Sequence, residues 1–216
     1  MAAADSGTSC IIVFARAARP GAVKTRLVPL LGAEGAAALH ARMVKRALAT
    51  ARKAALGPVE LHCAPDCDDD FFRFCSNRYR VELVSQAGGD LGARMSAAAS
   101  TALAAHARVL LIGSDCPVLT ARHLRAADQA LLDGPAAVLV PAEDGGYVLL
   151  GLTRSDKRVF EGIAWGSDTV LGDTRARLRE LGWSWRELET LWDVDRPEDY
   201  RRLIESKLLD EHPATR

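Results

Sequence analysis

An aspartate closes an apolar run, Val109-Leu110-Leu111-Ile112-Gly113-Ser114-Asp115-Cys116-Pro117, and four cations crowd an earlier connection, F-A-R-A-A-R-P-G-A-V-K-T-R-L from Phe14 to Leu27. Buried parallel strands deliver their last residues to the crevice at the carboxyl edge of a sheet, where ligands of open α/β folds bind. A carboxylate there, facing a cationic loop, suits a hard divalent ion that bridges protein and phosphate oxygens. Helix capping is the competing role for Asp115, but Thr120 is better placed to cap the helix that follows. In the cationic connection, Lys24 offers a flexible point charge and Arg16 and Arg26 offer forked bidentate donors for phosphate. An extended backbone would turn Lys24 and Arg26 to the same side. A solvated loop whose arginines pair with surface acids is the bland alternative. No P-loop is present: Gly21-Ala22-Val23-Lys24-Thr25 has two residues between Gly and Lys and lacks the earlier glycine, and G-x-G-x-x-G is also missing. Phosphate recognition would therefore rest on side chains.

Three further stretches could join this chemistry. In Gln86-Ala87-Gly88-Gly89-Asp90-Leu91-Gly92-Ala93-Arg94, the glycines permit close approach to a flat ligand, and Gln86 or Asp90 could hydrogen-bond a base or ribose. Pro141-Ala142-Glu143-Asp144-Gly145-Gly146-Tyr147 places two acids and a glycine pair after a strand, either as a site loop or as a hairpin turn. Trp192-Asp193-Val194-Asp195-Arg196-Pro197 sets two acids on one side of an extended segment, able to complete a cation site or to cap a helix. His62, Cys63, Cys67 and Cys75 could be drawn as a zinc site, but C-x3-C-x7-C is not a paired-knuckle spacing, and Phe71, Phe72 and Phe74 point to a packed helix. The remaining histidines are scattered, and no Ser-His-Asp or Cys-His order stands out.

The elements that must position these groups alternate. Strand-like runs at Ser9 to Ala15, Val59 to Cys63, Val81 to Ser85, Val109 to Ser114 and Ala137 to Pro141 are separated by helical patterns. Leu39, Met43, Ala47 and Ala51 form one helical stripe, and Met95, Ala99 and Leu103 another within Leu91 to Ala105. A strand at Tyr147 to Leu152, a helix at Ser167 to Leu181 capped by Ser167 or Asp168, a strand at Trp183 to Leu188 and a last helix at Pro197 to Leu208 follow. The expected fold class is α/β, a mostly parallel central sheet with helices on both faces. One domain over 9–208 is expected, with a flexible N-terminus at 1–8 and a flexible tail at 209–216.

Lys plus Arg equals Asp plus Glu at 28 each, so overall charge argues for neither nucleic acid nor anionic membrane as a partner. Residues 1–60 nevertheless hold nine Lys/Arg against Asp5, Glu34 and Glu60, which favours an anion. Nothing reads as a signal peptide or bilayer span, and five cysteines fit reduced thiols, so a cytoplasmic protein is expected.

Taken in order, these segments resemble a bacterial family, the GT-A-fold proteins of the DUF2064 type, often labelled arsenosugar-biosynthesis glycosyltransferase or radical-SAM/selenodomain-associated transferase 1. The matching pieces are F-A-R-A-A-R-P-G-A-V-K-T-R-L, Q-A-G-G-D-L-G-A-R-M, I-G-S-D-C-P, P-A-E-D-G-G-Y-V-L-L-G-L, W-G-S-D-T-V at Trp165 to Val170, and D-V-D-R-P-E-D-Y. K-T-R-L and D-G-G also resemble 2-phospholactate guanylyltransferases, and S-D-C-P stands where molybdenum-cofactor nucleotidyltransferases carry D-x-P. The resemblance implies a GT-A (nucleotide-diphospho-sugar transferase) fold and a metal-dependent glycosyltransferase with a nucleoside-diphosphate sugar donor and a small-molecule acceptor. It implies that Arg16, Lys24, Arg26, Gln86, Gly89, Asp90, Leu91, Gly92 and Arg94 bind nucleotide. Asp115 and Asp144 would be catalytic, and Asp115 with Asp195 would hold Mg2+ or Mn2+. Gly145, Gly146, Tyr147, Trp165 and Asp168 would line the acceptor side. Sugar-transferring GT-A enzymes commonly carry D-x-D, whereas this chain has Ser114-Asp115-Cys116-Pro117, so a nucleotidyltransferase releasing pyrophosphate stays open. A non-catalytic nucleotide-binding protein is the third reading.

Overall fold

The computed structural model describes residues 8–209. The expected flexible ends fall outside these residues, except for Thr8 and Leu209. The strands are β1 (Ser9–Arg16), β2 (Val59–Ala64), β3 (Glu82–Ser85), β4 (Arg108–Ile112), β5 (Ala137–Pro141), β6 (Tyr147–Leu152) and β7 (Trp185–Glu187). They form one seven-stranded sheet in the order β3-β2-β1-β4-β6-β5-β7. The helices are α1 (Val28–Ala54), α2 (Asp70–Tyr79), α3 (Leu91–Leu103), α4 (Ala121–Leu132), α5 (Val170–Glu180) and α6 (Pro197–Ser206).

The apolar runs become the middle of the sheet because they can be buried on both faces. In β1, Ile11, Val13 and Ala15 pack toward α1, α2 and α4, while Cys10 and Ile12 pack with Met95, Ala99 and Ala102 of α3 and Leu178 of α5. Of the stripe expected on α1, Leu39, Met43 and Ala51 are buried and Ala47 is partly buried, with Val44 and Leu48 buried beside them. A third, smaller core joins Leu39 and Met43 to Trp192, Val194 and Leu203.

Six strands run in one direction and β6 alone runs against them, pairing antiparallel with both β4 and β5. The reason is length: only Ala142 to Gly146 connect β5 to β6, and a parallel return needs a crossover of a dozen or more residues. Consequently the ends of β1, β3, β4 and β5, the beginning of β6 and the segment after β7 meet at one edge. The chain leaves β1 toward β2 and leaves α4 toward β5, so β1 and β4 flank the topological switch point, where such sheets bind ligands. The helix expected at Ser167 to Leu181 begins later, at Val170. No helix among the described residues is long and apolar enough to cross a membrane.

Candidate active site

The connection after β1 is folded, so the condition under which Lys24 and Arg26 would share a side, an extended backbone, is not met. Gly21 has φ +76°, Lys24 has φ +48°, and Thr25–Leu27 form a single 3-10 turn. The left-handed backbone at Lys24 is an uncommon state for a residue with a Cβ, and it aims the two cations apart. The Lys24 side chain goes inward, where Nζ lies 2.9 Å from Asp115 Oδ1 and donates to the Val194 carbonyl. Arg26 points to solvent and pairs with Asp195. Arg16, exposed at the end of β1, is held by its backbone: its carbonyl accepts from His40 Nε2 on α1 at 3.0 Å. Burial depresses the His40 imidazole pKa, against the opposing pull of Asp115 and the Arg16 carbonyl.

Asp115 follows β4 and does not cap α4. Thr120 is the N-cap there, its N–H donating to His123 Nδ1 at 3.0 Å, which leaves the Asp115 carboxylate free for the crevice. Its backbone carbonyl accepts from Val194 N at 2.8 Å. Burial would raise the Asp115 carboxyl, but the Lys24 ammonium beside it, with help from His40 and Ser114, holds it below its ordinary value. Asp193 behaves oppositely: burial, then the negative charges of Asp144 and Asp115, push it up to about 6. Asp115, Asp144 and Asp193 line one cavity, while Asp195 shares the neighbouring hollows with them and is paired with Arg26. Among the described residues no three His, Cys, Asp or Glu side chains converge on one ion position. Magnesium is nevertheless usually bound through one or two carboxylates plus substrate phosphates, and the mutual repulsion of these three acids is what a divalent cation relieves.

The loop before α3 is braced from inside. Gln86 Nε2 donates to the carbonyls of His62 and Ala15 at 2.8 and 3.2 Å, tying the ends of β1 and β2 together. Asp90 caps α3 by accepting from Ala93 N at 2.8 Å, and Arg94 donates to Gly89 O and Gln86 Oε1. Gln86, Asp90 and Arg94 thus all take part in shaping the loop. Gly92 is required by packing: a Cβ there would stand 2.6 Å from Trp165 Nε1 and 2.7 Å from the Phe160 carbonyl.

On the other side, Gly145 has φ +90° and a Cβ on it would overlap the backbone of Asp168. Asp168, expected as a helix cap, instead presses its main chain against Gly145, and Gly145 O accepts from Leu171 N at 2.9 Å. Gly146 N donates to Asp144 Oδ1 at 2.9 Å, fixing that carboxylate at the rim. Tyr147 and Trp165 line the cavity with Asp115, Asp144 and Asp193. Burial pushes the Tyr147 phenol pKa up.

Most of the expected residues gather at one edge around two hollows; Asp168 lines a third, and Gly89, Asp90, Gly92 and Gly145 support the walls without lining any of the three. A cationic crevice contains Arg16, Lys24, Arg26, His40, Gln86 and Arg94, and an apolar cavity of about 240 Å³ joins it at Phe14, Leu91, Gly113 and Asp115. Sequence reasoning missed His40, and it read Asp193 and Asp195 together as able to complete a cation site while assigning the metal to Asp195 alone. The W-D-V-D segment carried a signal for Asp193; nothing local singled out His40. All five cysteines are free thiols.

The family model described as an uncharacterized protein conserved in bacteria (DUF2064) matches residues 47–167, more than half of the chain. No curated protein matches by sequence. A crystal structure from Desulfovibrio desulfuricans G20, titled as an inferred nucleotide-diphospho-sugar transferase, is 28% identical over 95% of this chain and 98% of its own, with a TM-score of 0.80. Rv0371c from Mycobacterium tuberculosis H37Rv, in complex with manganese, is 20% identical over 92% and 99%, TM-score 0.57. CMP:2-keto-3-deoxy-manno-octonic acid synthetase complexed with CTP is 10% identical over 95% and 100%, TM-score 0.59. The last two share the fold, that of nucleotidyltransferases and GT-A-like transferases.

Proposed function

We propose that this chain, which belongs to the DUF2064 family, is a divalent-metal-dependent glycosyltransferase that takes a nucleoside-diphosphate sugar and transfers the sugar to a small-molecule acceptor. The observation that carries the reading is the division of charge across the edge. Arg16, Lys24, Arg26 and Arg94 line the crevice on one side of Asp115, while among the described residues no Lys, Arg or His lines the apolar cavity on the other, and Arg196 and Arg26 in the hollow next to it stand among acids. A nucleotidyl transfer to a phosphorylated acceptor needs cations in both halves, whereas a glycosyl transfer needs them around the diphosphate alone.

The diphosphate lies in the crevice, with Arg16 and Arg26 gripping its oxygens. As the bond from sugar to phosphate breaks, negative charge grows on the leaving diphosphate, and preorganised cations act most strongly on that developing charge. Lys24 reaches the same place on a stem anchored at Val194. Asp115 and Asp193 would hold Mg2+ or Mn2+, whose chemistry when bound is to neutralise phosphate oxygens. The Rv0371c–manganese complex supports that choice at the level of the fold. Asp144, fixed by Gly146 N, accepts the proton of the acceptor hydroxyl. The free thiols favour a reducing compartment such as the cytoplasm.

The second reading, nucleotidyl transfer, is favoured by one feature: Gly113 stands where D-x-D would place a first aspartate before Asp115. One experiment separates the two. The purified chain is incubated with Mn2+, a panel of acceptors, and either nucleotide sugars or nucleoside triphosphates, and the products are assayed. Nucleoside diphosphate released from one sugar donor fits the proposal. Pyrophosphate from a triphosphate, with no turnover of any sugar donor, overturns it.

A further inference from the structure

We propose, building on the transferase reading above, that the acceptor is an uncharged molecule with an apolar, ring-sized body and a hydroxyl at one end, and that phosphorylated or carboxylated acceptors are rejected. The cavity beyond Asp115 has about 240 Å³ of space. Its walls are Phe14, Met95, Tyr147, Val148, Trp165 and Val170, and all its acids, Asp115, Asp144 and Asp193, belong to the site where transfer would occur.

The aromatic walls show carbon only. Tyr147 Oη and Trp165 Nε1 are both inaccessible, and among the described residues Trp165 Nε1 has no hydrogen-bond partner. The phenol is turned toward Thr174 on α5, and the indole nitrogen is packed against Gly92. Neither polar tip can reach a ligand in the cavity. Ser167, also on the wall, has its hydroxyl paired with Thr169 Oγ1 at 2.8 Å. A polyhydroxylated acceptor would leave several hydroxyls unpaired against these rings, and a phosphate or carboxylate among them would be desolvated with no cationic side chain on the walls to receive it, the ion that Asp115 and Asp193 would hold being taken up by the diphosphate. A flat apolar body loses nothing there, and its hydroxyl falls among the carboxylates.

The test uses 4-methylumbelliferone, a flat phenol, against 4-methylumbelliferyl phosphate, the same body with a phosphate, and against glucose. Binding to the full chain is read by quenching of tryptophan fluorescence with Mn2+ and a nucleoside diphosphate present, and nucleotide binding is measured in the same samples with a fluorescent nucleotide. The phenol should bind at least tenfold more tightly than its phosphate ester, and glucose should give no saturable signal. Met95→Lys places an ammonium in the wall and should narrow or reverse that preference; if it does not fold, Val170→Lys serves the same purpose. An ester that binds as well as the phenol, or a phenol that does not bind while nucleotide does, overturns the inference and leaves the transferase reading intact. A phenol preference in a protein that binds no nucleotide with any metal overturns the transferase reading and leaves the cavity preference standing.

Discussion

Replacing Lys24 by Met should move two affinities in opposite directions. The Lys24 side chain is 3% exposed and Asp115 47%, so removal of the ammonium strands a half-hydrated carboxylate and leaves the Val194 carbonyl without its donor. Breaking a fully buried pair costs about 3–5 kcal/mol; because Asp115 can rehydrate, a loss of about 2 kcal/mol is expected once surface screening is allowed for. In a chain of this size about 2 kcal/mol lowers the melting temperature by roughly 4–8 °C. The same change takes a positive charge from the carboxylates, and a neighbouring unit charge at about 4 Å is worth roughly 1–4 kcal/mol between water-like and protein-surface screening. Mn2+ without nucleotide should therefore bind about tenfold more tightly to Lys24→Met, the equivalent of about 1.4 kcal/mol. Nucleoside diphosphate with Mn2+ should bind about tenfold more weakly, one phosphate contact having gone. Calorimetric titration of parent and variant with metal alone, then with nucleotide, reads both. A variant that melts within a degree of the parent and binds Mn2+ no better refutes the argument that Lys24 neutralises Asp115.

Gly145→Ala, strained at φ +90° and clashing with the Asp168 backbone, should lose more than about 2 kcal/mol, seen as a fall in melting temperature; an unchanged melt would mean that the 165–170 segment yields freely. Asp128→Ala removes the buried partner that pairs with Arg108 at 2.7 Å and accepts from Ser9, and urea unfolding should show a loss of about 3–5 kcal/mol. His40 titrates lower in the folded chain than its ordinary value near 6.5, so between those two values the unfolded chain binds more protons. Its contribution to stability is full above about pH 6.5 and is lost as pH falls through that window, at up to about 1.4 kcal/mol per pH unit. Asp193, raised to about 6, contributes with the opposite sign in the same window and does so in both proteins, so urea midpoints from pH 7.5 to 5.5 should fall more, or rise less, in the parent than in His40→Asn; equal slopes would remove His40 from the account.

Local pattern reached the strands more readily than the site. Ile11, Ile12 and Val13 announce a doubly buried strand, and the runs at Ala137 to Pro141 and Tyr147 to Leu152 are found where expected, because burial on both faces imposes composition directly. Strand direction was not legible: β6 reverses through a loop of five residues, a matter of reach that composition does not encode. Lys24 was legible as a cation but not as a buried one, since its inward turn depends on a left-handed backbone and on Val194, far along the chain. Asp193 and Asp195 look equivalent by alternation, and their environments part because Arg26 claims one carboxylate. The loop-bracing bonds of Asp90 and Gln86 were not legible, because they run to carbonyls and an amide that only the fold brings near.

The knot of bonds joining Lys24, Asp115 and Val194 has a consequence for how the enzyme comes into being. Lys24 and Val194 are 170 residues apart, and a ribosome adding 5–20 residues per second needs roughly 10–35 s to span that distance. Through that interval the nascent chain carries the cationic connection after β1 and later the Asp115 loop without the segment that seats them. Metal or nucleotide then meets an unfinished crevice, and a chain truncated before Val194 retains most of the sheet's strands while its lysine has lost the carbonyl that anchors it. Catalytic competence is accordingly one of the last properties this polypeptide acquires as it is made.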